Sequence, residues 1–353
     1  MSDNLRNILE KKFVEASAPC RIDMGGTLDI KTFHYPLRHL SPCTFNMAVN
    51  LRTFVKLLPY DRGMIKVTSR GFESVAFQLD NAPFNHPLGL IFAIAAYFRA
   101  QGVHVVINSS SPPRSALGGS SAAAVALVAA FSKVLKKPGE HEVSRKDIAV
   151  LAHTIEETVA GVPCGMQDQL AAAFGGIHAW YWTPGPTGPL YKRKKICRSS
   201  DIKNIEQRML LAFCGMPHES KNVNGEWVQQ FLSGKNRDRW FEIIRYTHMF
   251  IDAFEIKNYK IAVKAMNRET EIRRMMTPEV IDAMGIKLVD SAIANGCGAR
   301  FTGAGGGGCI WALGEVDDIC SLRIKWETLL LEVKDACLLE LNIDTKGLVV
   351  RDE

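Results

Sequence analysis

The segment Pro112-Pro113-Arg114-Ser115-Ala116-Leu117-Gly118-Gly119-Ser120-Ser121 limits what this chain can become more than any other. It lies between a strand-like run, Val103 to Asn108, and an Ala-rich stretch, Ser120 to Lys136. The small side chains of that stretch let neighbouring backbone approach closely and predict a buried helix. A glycine loop that empties into a helix presents unpaired backbone N–H groups and the positive end of the helix dipole, which together make an anion site. Triphosphate binding is the natural use. A tight turn with Ser120 or Ser121 as helix cap accounts for the same residues, so other motifs must decide.

A second cluster, Thr302-Gly303-Ala304-Gly305-Gly306-Gly307-Gly308-Cys309, formally contains G-x-G-x-x-G. A dinucleotide site needs a strand before it, a helix after it and an acid about 20 positions on. Here a strand, Cys309 to Leu313, follows, and the sequence also lacks the lysine-bearing G-x-x-x-x-G-K-[ST] loop. Rossmann and Walker-type nucleotide sites are excluded. So long a glycine run costs backbone entropy that a plain hairpin turn would not need, and close approach to a ligand explains it better.

The third element is Gly161-Val162-Pro163-Cys164-Gly165-Met166-Gln167-Asp168-Gln169, which places Asp168 in a Gly/Pro-punctuated loop before the apolar Leu170 to Phe174. Phosphoryl transfer needs an acceptor hydroxyl aligned and relieved of its proton, and an Asp in a cleft can do both. A lone Asp is more often a turn or cap residue. The preceding helix, Ser144 to Ala160, carries Ile148, Leu151, Ala152, Ile155 and Val159 on one stripe and stops at Gly161 before Pro163. At about 100° per residue Glu157 points away from that stripe while Glu156 flanks it, so Glu156 is the expected Mg²⁺ ligand. A solvated Glu pair is the plain alternative.

At 353 residues the chain can bury a large core, and its length favours two domains with a cleft between them. The Pro/Gly-rich stretch Pro184 to Pro189 and the shift to longer helices beyond it put the boundary between about 185 and 205, giving units 1–195 and 196–353. Hydrophobic content of 47% and charged content of 23% suit a soluble protein, with no apolar run able to span a bilayer. The polar start, with Leu5, Ile8, Leu9 and Phe13 at helical spacing, lacks a secretory core, so a cytoplasmic location is expected. Nine scattered cysteines imply neither a disulfide framework nor a zinc site. The net charge of +6 favours anionic ligands only slightly. The one dense basic run, Lys192 to Lys195, has no interleaved aromatics and is read as a solvated strand edge; neither nucleic-acid nor membrane partners are expected.

Together with Ala18-Pro19-Cys20-Arg21-Ile22-Asp23 and Gly25-Gly26-Thr27-Leu28-Asp29, these elements resemble the ordered motifs of the galactokinase, homoserine kinase, mevalonate kinase and phosphomevalonate kinase (GHMP) family, over most of the chain. Within it, the Gly-Gly-Thr start, the Leu-Gly-Gly-Ser-Ser loop and the Gln-Asp-Gln triplet look most like the heptose 7-phosphate kinase branch. The resemblance implies an α+β fold, with an N-terminal domain of the ribosomal protein S5 domain 2-like type and a ferredoxin-like C-terminal domain. It implies ATP and Mg²⁺, and as acceptor a small-molecule sugar or sugar phosphate, best D-glycero-D-manno-heptose 7-phosphate at its anomeric oxygen. Pro113, Ser115, Leu117 and Gly118 to Ser121 would wrap the triphosphate, with Ser120 or Ser121 joining Glu156 on the metal. Asp168 would be base or orienting carboxylate, and Arg21 would stabilise the transferring phosphoryl. Asp29, Gly26, Thr27, Gly165 and Gln167 would meet the acceptor, and the run containing Gly303, Ala304, Gly305 and Gly306 would close over it.

Two departures count. Arg114 and Ala116 stand where the family often has glycine, so the loop is stiffer or Arg114 itself touches a phosphate. Cys214-Gly215-Met216-Pro217-His218-Glu219-Ser220 lacks the Arg that heptose kinases usually carry before the Ser, which weakens the case for a phosphorylated acceptor and keeps a free sugar open. A silent sugar- or ATP-binding regulator would lose Arg21, Glu156 or Asp168, and all three are present. A decarboxylase-like relative would need a site shaped for a phosphorylated isoprenoid acid.

Overall fold

The computed structural model describes residues 3–183, 185, 189–216 and 223–352. The first part of the chain runs α1 (Asp3–Leu9), β1 (Val14–Met24), α2 (Lys31–His34), β2 (Cys43–Pro59), β3 (Met64–Ser69), β4 (Val75–Gln78), α3 (Gly89–Tyr97), β5 (Val103–Ser109), α4 (Gly119–Val134), α5 (Arg145–Val159), α6 (Gln167–Phe174), β6 (Ile177–Trp182) and β7 (Tyr191–Lys195). The remainder runs α7 (Ile202–Glu206), β8 (Met209–Phe213), α8 (Val223–Leu232), α9 (Arg237–Glu255), α10 (Tyr259–Met276), α11 (Ala283–Ala294), β9 (Gly298–Phe301), β10 (Cys309–Leu313), α12 (Val316–Leu330), β11 (Cys337–Leu339) and β12 (Val349–Asp352).

Among the described residues these strands form two sheets. The first has the order β12-β1-β2-β5-β3-β4, with β6 pairing β2 and β7 pairing β6; only β3 and β5 run parallel. The second is an antiparallel sheet of order β11-β8-β10-β9. This is a mixed α+β, two-domain architecture.

β1 is buried along almost its whole length because both of its faces are covered. On one side lies α4, where every residue from Ser121 to Phe131 is buried. Its alanines let β1, β2, α5 and α6 all pack against it. On the other side Ile22, Met24, Phe45 and Met47 pack with Phe250, Met266 and Trp311 from the second half of the chain. The two domains therefore share a core rather than touching at a hinge.

Three details differ from the sequence reading. β12 returns to pair with β1, Val14 opposite Asp352, so a unit starting at 196 is not one spatial block to the C-terminus. The glycine run 302–308 is the loop of the β9–β10 hairpin, with a strand on each side. Asp168 lies in the first turn of α6 and not in a loop, because that helix is capped at Met166. The basic run does sit on an edge: Lys192 to Lys195 are exposed on β7, and Lys194 pairs with Glu255.

The join between the domains also holds charge. Glu269 and Arg273 on α10 and Arg300 on β9 are each 0% exposed. Glu269 accepts from Arg273 Nε at 2.6 Å and from Arg300 Nε at 2.9 Å. Arg273 stacks under Trp227 and Trp240 and donates to Thr27 Oγ1 and to the Gly26 carbonyl. Burial works to raise the Glu269 pKa, but the two arginines outweigh it and hold the group below its ordinary value. Removing Glu269 leaves Arg273 buried with no acid beside it and Arg300 with Asp23 alone, which costs about 3–5 kcal/mol. We expect Glu269→Ala to lower stability by that order, read as a shift in urea midpoint. Because the folded pKa is depressed, the Glu269 contribution is full above its unfolded value near 4.5 and is lost as pH falls through the folded value; Glu269→Gln should remove that acid-side slope. An alanine variant as stable as the parent would show that the buried pairs contribute nothing.

Candidate active site

The loop entering α4 has an unusual backbone. φ is positive at every second residue, +54° at Arg114, +59° at Ala116 and +75° at Gly118. Gly118 is the N-cap of α4, and no side chain caps the helix. None of the backbone N–H groups from Arg114 to Ser121 donates to another described residue. Such outward-turned donors at a helix start form an anion-binding concavity. The capping alternative for the serines fails, since the Ser120 and Ser121 hydroxyls donate instead to Glu156. Gly118 has two reasons to be glycine: its φ, and Asp168 Oδ2, which a Cβ would meet at 3.0 Å.

This loop walls a cleft of about 510 Å³. Pro113, Ser115, Leu117, Gly118, Gly119 and Ser120 all line it, and Phe72, Pro87, Leu88, Ile91 and Ile107 give it an apolar end. A flat heterocycle at that end and phosphates at the loop would fit the two chemistries.

Arg21 projects from β1 into the wall of the cleft. Its Nε and Nη2 donate to the two oxygens of Asp168 at 2.8 and 2.9 Å, a bidentate pair, and Nη1 donates to the Ala116 carbonyl at 2.6 Å. Burial works against the charge on Arg21, but Asp168 and Asp23 more than offset it and keep the guanidinium protonated. Asp23 is fully buried. It accepts from the Gly303 N–H at 2.7 Å and from Arg300 at 3.1 Å, and it stands 3.7 Å from Arg21. The glycine hairpin is thus tied down through Gly303, whose N–H is already committed.

Glu156 accepts from Ser121 Oγ at 2.8 Å, Ser120 Oγ at 3.2 Å and Gln169 Nε2 at 2.6 Å. Glu157 turns the other way and pairs with Lys31 near the surface. Burial raises the Glu156 pKa, and Asp168 adds to it. A carboxylate and a hydroxyl this close, with the buried Oε1 of Gln169 unpartnered beside them, form a hard oxygen set suited to Mg²⁺. Among the described residues no group of three acid, His or Cys side chains could hold a metal alone, so phosphate oxygens would have to complete the shell.

Beside the cleft is a smaller cavity of about 130 Å³. Its wall includes Thr27, Asp29, Glu156, Gly165 and Gln167, and it shares Arg21, Ser120, Asp168, Asn224, Gly303 and Ala304 with the cleft. Asp29 Oδ2 accepts from the Gln167 N–H at 2.9 Å, and burial pushes its pKa up to about 7, helped by Asp168 and Asp23. Gly165 must be glycine because any Cβ would overlap the Asp29 carboxylate.

The expected residues do not all meet in this cavity. Gly26 is outside it, its carbonyl bound by Arg273. Gly305 and Gly306 pack on Val280, where Gly306 N–H donates to the Val280 carbonyl, so only Gly303 and Ala304 of the hairpin reach the site. Residues 217–220, where the heptose-kinase Arg is missing, lie outside the described residues. Sequence reasoning gave no role to Asp23, Arg300, Gln169 or Asn224. Gln169 was legible as the neighbour of Asp168 in Gln-Asp-Gln, and in space its Nε2 donates to Glu156 at 2.6 Å; Asn224 carried no signal.

Comparison with known proteins agrees with this geometry. The family model described as GHMP kinases N terminal domain matches residues 85–176, which span the loop, α4, α5 and Asp168. A mevalonate kinase of Pyrococcus horikoshii is 26% identical over 333 residues, covering 86% of this chain and 89% of the relative. A D-glycero-alpha-D-manno-heptose 7-phosphate kinase of Campylobacter jejuni is 27% identical over 208 residues, 57% of this chain and 58% of the relative. The structure of Lactococcus lactis galactokinase with galactose aligns with a TM-score of 0.74 at 16% identity, over 99% of this chain and 98% of that one. Residues 85–176 match the GHMP kinase N-terminal domain, the chain takes the two-domain fold of its structural neighbours, and its similarity to kinases along most of its length supports an ATP-dependent kinase.

Proposed function

We propose that this kinase moves the γ-phosphoryl of ATP onto a hydroxyl of a small sugar or sugar phosphate, with D-glycero-D-manno-heptose 7-phosphate at its anomeric oxygen as the first acceptor to test. The observation that carries this reading is the position of the Arg21–Asp168 pair, in the wall common to an anion-type cleft and a small polar cavity. A donor in the cleft and an acceptor in the cavity would meet at that pair.

In this mechanism the N–H groups of the loop and the start of α4 hold the phosphate chain. Asp168 orients the acceptor hydroxyl and takes its proton late, since a loose transition state demands little proton abstraction. Arg21 fixes the carboxylate by two hydrogen bonds and faces the charge that develops on the transferred group. Glu156 and Ser121 supply protein oxygens for Mg²⁺, which when bound neutralises charge on the phosphate oxygens. Asp29, fixed by the Gln167 N–H, accepts from acceptor hydroxyls. The boundary proposed for the two units remains near residue 195, with β12 added to the first.

A second reading, a free sugar as acceptor, rests on charge. Among the described residues lining the small cavity the one cation is Arg21, already paired, against Asp29, Glu156 and Asp168. An acceptor phosphate seated there would find no uncommitted cation, whereas neutral hydroxyls would find three carboxyl groups.

The deciding experiment is ADP release with Mg·ATP against free hexoses, free heptoses, their 6- or 7-phosphates and mevalonate, with products confirmed by mass. Turnover on a heptose 7-phosphate supports the first reading, turnover on free sugars alone the second, and turnover on mevalonate alone rejects both. Asp168→Asn should lower kcat by about 10²–10⁴-fold while nucleotide still binds; undiminished turnover would remove Asp168 from the mechanism. With Asp29 titrating at about 7, kcat/KM for the acceptor should climb through that pH as the carboxylate becomes able to accept. Asp29→Asn should flatten this limb and cost about 10–100-fold at pH 8. Its raised folded pKa also means that stability falls as pH rises from the unfolded value, 3.8, to about 7, and the Asn variant should lack that decline. A pH profile unaltered by Asp29→Asn would show that another group titrates.

A further inference from the structure

The charges around the two cavities are divided. Those lining the small cavity are Arg21, Asp29, Glu156 and Asp168, whereas those lining the cleft are Arg21, Arg70, Arg114 and Asp168. With Arg21 and Asp168 paired to each other, the cleft is left with two cations and no further acid. Neither Arg70 nor Arg114 has an ion pair, hydrogen bond or ring partner among the described residues, and both are exposed. They come from separate segments brought together in space: Arg70 from the β3–β4 turn and Arg114 from the loop before α4. The turn and the loop are in contact, since a Cβ on Gly71 would lie 3.5 Å from Pro113 Cγ.

Arg114 also stands where the backbone resists it. A φ of +54° suits glycine, and a long side chain there costs on the order of 1 kcal/mol or more. It is the first of the three alternating positive-φ positions whose N–H groups open toward solvent. A strained, unpaired cation at the mouth of an anion-binding loop invites a ligand that offsets the strain.

We propose that Arg70 and Arg114 form a two-pronged clamp on the phosphate chain of the nucleoside di- or triphosphate in the cleft, in addition to the backbone N–H groups of the loop. This rests on the kinase reading of the cleft. Guanidinium forks bind phosphate oxygens bidentately, and two of them balance part of the charge otherwise left to Mg²⁺. The clamp therefore gives the enzyme measurable affinity for a metal-free nucleotide.

The test is isothermal titration of the full chain with ADP, in excess Mg²⁺ and again in EDTA, with thermal melting of the same proteins without ligand. Arg114→Gly removes the prong and relieves the backbone. It should leave apoprotein melting unchanged or raised, weaken ADP binding in EDTA by about 10–100-fold, and weaken it less in Mg²⁺. Arg70→Ala should do the same without the gain in melting temperature, and the double variant should lose less than the product of the two singles, because both grip one anion. The acceptor KM should not move. ADP binding in EDTA that is equal in the parent and in Arg114→Gly would overturn the clamp while leaving the kinase intact. Failure of the parent to bind ADP with or without Mg²⁺ would overturn the clamp and the kinase reading together.

Discussion

The active site hangs on a run of six buried or nearly buried charges that alternate in sign: Asp168, Arg21, Asp23, Arg300, Glu269 and Arg273. Three acids and three guanidiniums sum to zero, so every charge within this run has a partner of opposite sign. Any one of them by itself would be prohibitively desolvated. The run starts at the wall between the two cavities, passes β1, crosses into β9 and α10, and ends on the carbonyl of Gly26 and the hydroxyl of Thr27. It thereby fixes the orientation of Asp168 through two bonds and, at the far end, the Gly26–Thr27 backbone beside the smaller cavity. Thr27 holds a φ of +74°, unfavourable for a β-branched residue, and its hydroxyl is held by Arg273.

This chain of pairs also explains why the domains do not behave as two bodies with a free cleft. Gly303 donates to the same Asp23 that accepts from Arg300, so the glycine hairpin, the second sheet and β1 are joined at one carboxylate. A hairpin pinned in this way offers a fixed wall rather than a moving lid. What closeness it achieves comes from missing side chains: a Cβ on Gly303 would meet Arg21 Nη2 at 3.0 Å.

Legibility from sequence divided along the range of the interactions. The loop from Pro112 to Ser121, the buried helix after it and the inward turn of Glu156 against the outward turn of Glu157 depend on neighbours within a few turns, so spacing and helical phase were enough to place them. The placement of Asp168 failed by one step, because Met166 starts the helix without a recognisable capping side chain. Glu269, Arg273 and Arg300 were out of reach. Glu269 and Arg273 sit on α10 among other charged residues and Arg300 sits on β9, and what joins them to the site is Asp23, 277 positions from Arg300 in the chain yet 3.1 Å away in space. The strand β12 was unassignable to its sheet for the same reason, since four residues carry no sign of which edge they will join.

That last strand orders events during synthesis. β1 is made long before β12, and its edge along Val14 to Ser17 stays unpaired until Val349 to Asp352 have been made. Until then β1 offers a bare row of hydrogen-bonding groups, the kind of edge on which chains aggregate. The sheet that carries β1 is thus completed by a strand made after the whole second sheet, so a nascent chain cut short before β12 leaves that edge unsealed.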